Sequence, residues 1–100
     1  LVFLSGQTPI VPHSGQLAEG GIVEQTEQVI KNLGAVLEAA GSGLDKVIKT
    51  TCFLTDMGDF AAFNEVYARY FVSKPARSTI AVKALPKNAS IEIELIAYRD

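Results

Sequence analysis

The sequence predicts an α+β fold, a two-layer sandwich in which one β-sheet carries two helices on a single face. Two stretches place apolar residues at three- and four-residue spacings, the periodicity of an amphipathic helix, and four shorter stretches have the composition of strands. Their order is β-α-β-α-β-β, and two apolar helix stripes need one sheet face to cover them. A chain of 100 residues has room for one domain, so residues 1–100 are predicted to form a single unit.

The first half of the chain contains one strand and the longer helix. Leu1–Ser5 is apolar and strand-like, and the two prolines that follow, Pro9 and Pro12, exclude a central strand there. From Ile22 to Ala40 the apolar residues share one helix face and the charged residues occupy the other. Gly41 stands where a left-handed cap is needed, so the helix is expected to end at Ala40.

The second half begins with a strand at Val47–Thr55, which is rich in β-branched residues. Asp59 is a suitable N-cap for the second helix, and Lys74-Pro75 is expected to end that helix. Its apolar stripe consists of Phe60, Phe63, Val66, Tyr67, Tyr70 and Phe71.

Two further strands are predicted at Arg77–Leu85 and Ile91–Tyr98. Each has an apolar face that suits the helices. In the first this face is formed by Ile80, Val82 and Ala84, and in the last by Ile91, Ile93, Leu95 and Ala97. The sheet face opposite the helices is expected to mix charged and apolar residues, which is typical of a subunit interface with a polar pocket. We assign to it Arg77, Thr79, Ala81, Glu92, Glu94, Ile96 and Phe53.

The composition is that of a globular chain that exposes part of its apolar surface. Hydrophobic residues make up 48% of the chain and charged residues 20%, and the mean hydropathy of +0.22 is high for this length. A domain of this size buries only about two thirds of its unfolded surface, so apolar side chains remain outside and an oligomer is expected. No apolar run approaches the roughly 18–20 residues of a membrane span, so no membrane partner is predicted.

The counts of residue types exclude several kinds of site. Cys52 is the only cysteine and His13 the only histidine, so neither an intrachain disulfide nor a structural zinc site can form. A Ser-His-Asp triad would depend on His13, which lies in a Pro/Gly turn. The net charge of −2 provides no general basic surface, so nucleic-acid binding is not expected. A single thiol fits a reducing compartment, and we predict a cytoplasmic location.

Arg77 and Glu92 are the strongest candidates for chemistry, and we place them on one sheet face and on adjacent strands. A guanidinium is always charged, and its planar fork can hold a carboxylate through two hydrogen bonds. Arg77 would anchor an anionic substrate while Glu92 orients a water molecule. From the pattern alone, a structural Arg–Glu pair between strands is the more common outcome. Cys52, in an apolar strand, is expected to be buried and unreactive.

A set of short motifs occurs in order along the whole chain: Ser5-Gly6-Gln7-Thr8-Pro9, Asn32-Leu33, Leu37-Glu38-Ala39-Ala40-Gly41, Val47-Ile48-Lys49-Thr50-Thr51, Asp59-Phe60, Asn64-Glu65-Val66-Tyr67, Tyr70-Phe71, Pro75-Ala76-Arg77-Ser78-Thr79, Leu85-Pro86 and Ile91-Glu92-Ile93-Glu94. Together they closely resemble the RidA (YjgF/YER057c/UK114) family, also called the endoribonuclease L-PSP family. The resemblance implies a chorismate-mutase-like α+β fold assembled as a homotrimer with pockets between subunits.

The resemblance also implies an activity, that of an enamine/imine deaminase needing no metal or organic cofactor. Such enzymes hydrolyse 2-aminoacrylate and 2-aminocrotonate to 2-ketoacids and ammonia. By resemblance, Arg77 binds the substrate carboxylate and Glu92 positions the attacking water. Thr79 matches a residue that contacts substrate through its backbone. The positions that line or support the pocket correspond to Ser5, Gly6 and Asn64.

The chain departs from the family pattern at two points. It has no Gly-Pro-Tyr segment, whose Tyr lines the pocket in the family, and we expect the family's N-terminal strand to be lacking. Lys74 stands where an aromatic residue often precedes the Pro-Ala-Arg motif, which alters the apolar wall of the pocket or adds a positive charge.

Two other functions remain open at this point. The first is ribonuclease activity with inhibition of translation, which has been ascribed to members of the family. The second is a non-catalytic trimer that binds small carboxylic acids such as 2-ketoacids or acts as a chaperone-like partner. An assay that separates turnover from mere binding distinguishes the second of these from a deaminase.

Overall fold

The computed structural model describes all residues from 1 to 100 and contains the predicted elements in the predicted order. Three short 3-10 turns accompany four strands and two helices. The strands and helices are β1 (Val2–Gln7), α1 (Ile22–Ala39), β2 (Val47–Leu54), α2 (Phe60–Tyr70), β3 (Ala76–Ala81) and β4 (Ile91–Ala97). The predicted α+β architecture is therefore confirmed.

The four strands form one sheet in the order β1-β4-β2-β3. β4 lies between β1 and β2 and is antiparallel to both. β3 is an edge strand that runs parallel to β2, as it must when the helix α2 forms the crossover between them. β3 and β4 follow each other in the sequence and are nevertheless not neighbours in the sheet.

The core lies between the two helices and one face of the sheet. β4 contributes the side chains predicted for this role, since Ile91, Ile93, Leu95 and Ala97 are all buried. The helices contribute the buried residues Val29, Ile30, Leu33, Leu37, Phe63, Val66 and Tyr67. Gly41, after α1, adopts a left-handed φ of +80°, which confirms the cap predicted there. Neither helix is both long enough and apolar enough to cross a membrane.

The opposite face of the sheet is covered by neither helix. Phe3 is 70% exposed and Ile80 is 46% exposed, while Phe53 and Ile96 are partly exposed. The register pairs Phe3 with Ile96 and Phe53 with Ile80, so these side chains form two apolar pairs across this surface. We refer to it below as the uncovered face.

β3 differs from its prediction in both length and facing. It ends at Ala81 and does not reach Leu85, because the chain leaves the sheet after the bond from the Val82 N–H to the Leu54 carbonyl. The parallel register places Thr79 beside Cys52 and Ala81 beside Leu54. Cys52 and Leu54 are both buried on the helix side of the sheet. Thr79 and Ala81 therefore lie on the helix face, and their assignment to the uncovered face was wrong.

The two ends of α2 also differ from expectation. Asp59 makes no side-chain cap, whereas Asp56 accepts a hydrogen bond from the Gly58 N–H at 2.8 Å and begins the turn that leads into α2. The helix ends at Tyr70, ahead of Lys74-Pro75, and Lys74 adopts a left-handed φ of +53°.

Candidate active site

Arg77 lies at the start of the edge strand β3, beneath α2. Its Nη1 donates a hydrogen bond to Asn64 Oδ1 at 2.7 Å. Its Cζ lies 4.7 Å from the ring centroid of Tyr67, 5.4 Å from that of Phe60 and 5.7 Å from that of Phe63. The four contacts come from one face of α2, since their positions are spaced three, four and seven residues from Phe60. Two successive turns of α2 therefore surround the guanidinium with one hydrogen-bond acceptor and three aromatic rings.

The facing of Arg77 corrects the sequence prediction. β3 pairs Arg77 with Thr50, which is buried on the helix side and hydrogen-bonds to Tyr67 of α2. Arg77 therefore points toward the helices and not toward the uncovered face. The prediction failed because it assumed that the apolar residues of β3 face the helices, whereas Ile80 of this edge strand faces away and is exposed.

A cleft of about 520 Å³ opens beside Arg77, between the end of α2 and the start of β3. Its lining residues are Asn64, Tyr67, Ala68, Phe71, Val72, Lys74, Pro75 and Arg77. No carboxylate lines this cleft, and the one salt bridge of the chain joins Lys46 to Asp100 elsewhere. The Arg77 guanidinium has a neutral amide as its hydrogen-bond partner, so its charge is available to an anionic ligand.

Glu92 lies on β4 and belongs to the uncovered face, as predicted. Its side chain contacts the backbone of Gly6 so closely that a β-carbon at Gly6 would collide with Oε2 of Glu92. This approach occurs where the β1–β4 register is irregular, between Leu4 and Gln7. The missing side chain at Gly6 leaves the space that the Glu92 carboxylate occupies, and Ser5 lies beside it in the same irregular stretch.

A single chain does not bring Arg77 and Glu92 together. β2 separates β3 from β4, and the two side chains project from opposite faces of the sheet. The structural alternative, a cross-strand pair between Arg77 and Glu92, is wrong for the same reason. The predicted site residues form two groups, with Arg77, Asn64 and Thr79 on the helix face and Glu92, Gly6 and Ser5 at the uncovered face.

Aromatic residues around Arg77 are the part of the site that sequence reasoning did not identify. Phe60, Phe63 and Tyr67 were assigned to the core, and they do pack there, but they also surround the guanidinium. The sequence feature that could have indicated these contacts is Asn64, a polar residue within the aromatic stripe of the second helix. That signal becomes informative only once the facing of Arg77 is known.

Cys52 and His13 lie where the sequence predicted them. Cys52 is fully buried in β2, and burial raises the pKa of its thiol to about 11. His13 is exposed in a turn.

Cys52 is expected to resist alkylation in the native protein. At pH 8 a thiol with this pKa is almost entirely protonated, and its burial excludes the reagent. Iodoacetamide labelling followed by mass spectrometry should give negligible modification in an hour and complete modification in guanidinium chloride. Rapid stoichiometric labelling of the folded protein would contradict the assignment of Cys52 as a structural residue.

Comparison with known proteins identifies relatives of this chain. Residues 1–99 match the family model described as Endoribonuclease L-PSP. A RutC family protein of Pyrococcus horikoshii is 54% identical over 99% of this chain and 79% of its own length. The mouse 2-iminobutanoate/2-iminopropanoate deaminase is 50% identical over 98% of this chain and 73% of its own length. The crystal structure of Escherichia coli TdcF with bound serine superimposes with a TM-score of 0.92 at 39% identity, covering 98% of this chain and 80% of TdcF.

These observations define the class of protein: a two-layer α+β domain with an uncovered sheet face and an arginine beside an open cleft. The chain belongs to the RidA (YjgF/YER057c/UK114) family, to which the endoribonuclease L-PSP model also refers.

Proposed function

We propose that this protein hydrolyses 2-imino acids, and the enamines that tautomerise to them, to 2-ketoacids and ammonia. The observation that supports this most strongly is the Arg77 guanidinium, unpaired with any carboxylate, at the wall of an open cleft. A small substrate with a carboxylate fits such a group through two parallel hydrogen bonds. The name of the mouse relative, an imine deaminase at 50% identity, supports the same substrate class.

The role of Arg77 is to bind and orient the substrate. Its contacts with α2 hold the guanidinium in one place, so that a bound carboxylate fixes the position of the adjacent C=N carbon. Holding the reacting atoms in place lowers the barrier without any covalent intermediate. Thr79 lies two residues after Arg77 on β3. A substrate bound at Arg77 would contact the backbone of Thr79.

The role of Glu92 is to hold and activate water. Water adds to the C=N carbon as a C–O bond forms and the C=N double bond becomes single; Glu92 accepts a proton from that water and returns it to the substrate nitrogen. The carbinolamine then loses ammonia: Glu92 transfers the hydroxyl proton to the nitrogen, the C–N bond breaks and a C=O bond forms. The Glu92 carboxylate lies in the space beside the Gly6 backbone, and from there it can present an oxygen to a water molecule.

The complete site is assembled from two copies of the chain. Arg77 and Glu92 project from opposite faces of one sheet, so a small substrate can contact both only when a second copy supplies one of them. A homotrimer with cyclic symmetry would provide three such sites and would cover the apolar pairs of the uncovered face. Leaving that apolar area in water costs roughly 25 cal/mol for each Å².

Phe3→Asp is expected to dissociate the assembly and abolish activity, because it puts a charge into the surface that the trimer would bury. Light scattering across a dilution series should give a trimer mass for the wild type and a lower mass for the variant. Val36→Asp is the matched control, since Val36 is 41% exposed but lies on α1, away from the uncovered face. A stable, active wild-type monomer at micromolar concentration would refute both the assembly and the shared site.

A coupled assay tests the proposed reaction directly. A PLP-dependent dehydratase acting on serine or threonine releases the enamine, and ketoacid formation is followed with and without this protein. Acceleration above the spontaneous rate supports the deaminase. Binding of pyruvate without acceleration would instead favour the small-carboxylate-binding trimer, and RNA cleavage that depends on Arg77 would favour the ribonuclease.

A further inference from the structure

Among the rings around Arg77, that of Tyr67 lies closest to the guanidinium. The distance from Arg77 Cζ to the ring centroid is 4.7 Å, well inside the roughly 6 Å over which a cation is attracted to an aromatic face. Asn64 engages a single guanidinium nitrogen, so one hydrogen bond alone does not fix the plane of the group. The ring of Tyr67 therefore has a large influence on how the remaining N–H groups of Arg77 are directed.

The Tyr67 ring is itself held in place from three directions. It stacks on Phe71 with centroids 4.3 Å apart and planes inclined by 25°, and it packs against Phe63 at 5.5 Å. Its hydroxyl forms a hydrogen bond of 2.7 Å with Thr50 Oγ1. Thr50 is fully buried and Tyr67 is only 6% exposed, so water does not compete for this bond. The stacking fixes the plane of the ring, and the hydroxyl contact fixes its sideways position.

Packing alone does not require this arrangement. A phenylalanine would fill nearly the same space at position 67, and a valine the same space at position 50, without the cost of burying two hydroxyl groups. Burial raises the pKa of the Tyr67 hydroxyl, so the group stays neutral beside Arg77 and keeps its proton for hydrogen bonding. Thr50 is also the residue that β2 places directly beside Arg77 in the sheet.

We propose that Thr50 and Tyr67 act as a pair of positioning residues that orient the Arg77 guanidinium for the carboxylate of the substrate. Thr50 holds the hydroxyl of Tyr67, the ring of Tyr67 supports the guanidinium, and the free N–H groups then face the cleft. The inference depends on the proposed function in one respect, that Arg77 binds a carboxylate. It does not depend on imine hydrolysis.

Thr50→Val and Tyr67→Phe test the pair, alone and combined. Each should raise the Kd for pyruvate, measured by isothermal titration calorimetry, by about fivefold, the scale of a weakened cation–π contact. The KM for 2-iminopropanoate should rise in parallel while kcat stays within about twofold, since the water-activating side of the site is untouched. The double variant should bind pyruvate no more weakly than either single variant, because both changes break the same hydrogen bond.

Thr26→Val is the matched control. Thr26 is fully buried in α1, and its hydroxyl has no hydrogen-bond partner, so the variant loses a buried hydroxyl without losing a contact. It should leave the Kd unchanged.

An unchanged Kd in Thr50→Val and Tyr67→Phe, even with a lowered melting temperature, would overturn the positioning role, as would an equal rise in Thr26→Val. Failure of the wild type to hydrolyse imines would overturn the proposed function alone, because pyruvate binding can still be measured.

Discussion

Arg77→Ala should lower kcat/KM for 2-iminopropanoate by at least about 100-fold, which corresponds to the loss of charge-assisted hydrogen bonds to the carboxylate. Spontaneous hydrolysis must be subtracted, so the assay compares enzyme-dependent rates. Circular dichroism should show a folded protein, because Arg77 belongs to an edge strand and its partner Asn64 borders the cleft, where water can reach it.

Two other variants make this result specific. Arg77→Lys keeps the charge and loses the planar fork, so it should recover only part of the lost activity. Arg69→Ala removes an exposed arginine from α2 and should behave as the wild type. Near-normal turnover by Arg77→Ala would refute the assignment of Arg77 to the substrate carboxylate.

Glu92→Gln is expected to lower kcat by about 10²- to 10³-fold, the usual contribution of a positioned general base. The amide keeps the shape of the side chain against Gly6 but cannot accept a proton from water. The Kd for pyruvate should stay within about twofold of the wild-type value, because the carboxylate of the ligand is bound by Arg77 on the opposite side of the site.

Glu94→Gln is the matched control for this variant. Glu94 lies two residues further along β4 on the same uncovered face, and it is exposed. Its replacement should alter kcat by less than about twofold, because it keeps the size of the side chain and leaves Glu92 intact. Light scattering on Glu94→Gln should still give the trimer mass, since the proposed assembly covers this face. A larger effect of Glu94→Gln than of Glu92→Gln would show that the other carboxylate of the pair activates water.

The helices were predictable from sequence because their signals are local. The apolar period and Gly41 place the end of α1 within one residue of the observed end at Ala39. The alternation of β4 correctly predicted which of its side chains are buried.

The sheet order and the facing of β3 depend on non-local contacts. β3 and β4 are close in sequence and were expected to be neighbours, but β4 pairs with β1 and β2 while the crossover through α2 places β3 beyond β2. An edge strand can expose an apolar residue such as Ile80, so its apolar side does not identify its buried side. The error placed Arg77 on the wrong face of the sheet, so its contacts with the aromatic rings of α2 were not predicted.

The projection of Arg77 and Glu92 from opposite faces of the sheet has a genetic consequence. In the proposed assembly, a trimer made only of Arg77→Ala chains, or only of Glu92→Gln chains, has no intact site. In a mixed trimer, some subunit boundaries bring an intact Arg77 together with an intact Glu92. With random mixing, roughly a quarter of the boundaries would be intact. Two defective alleles expressed together would therefore complement each other, whereas two alleles altered at the same residue would not.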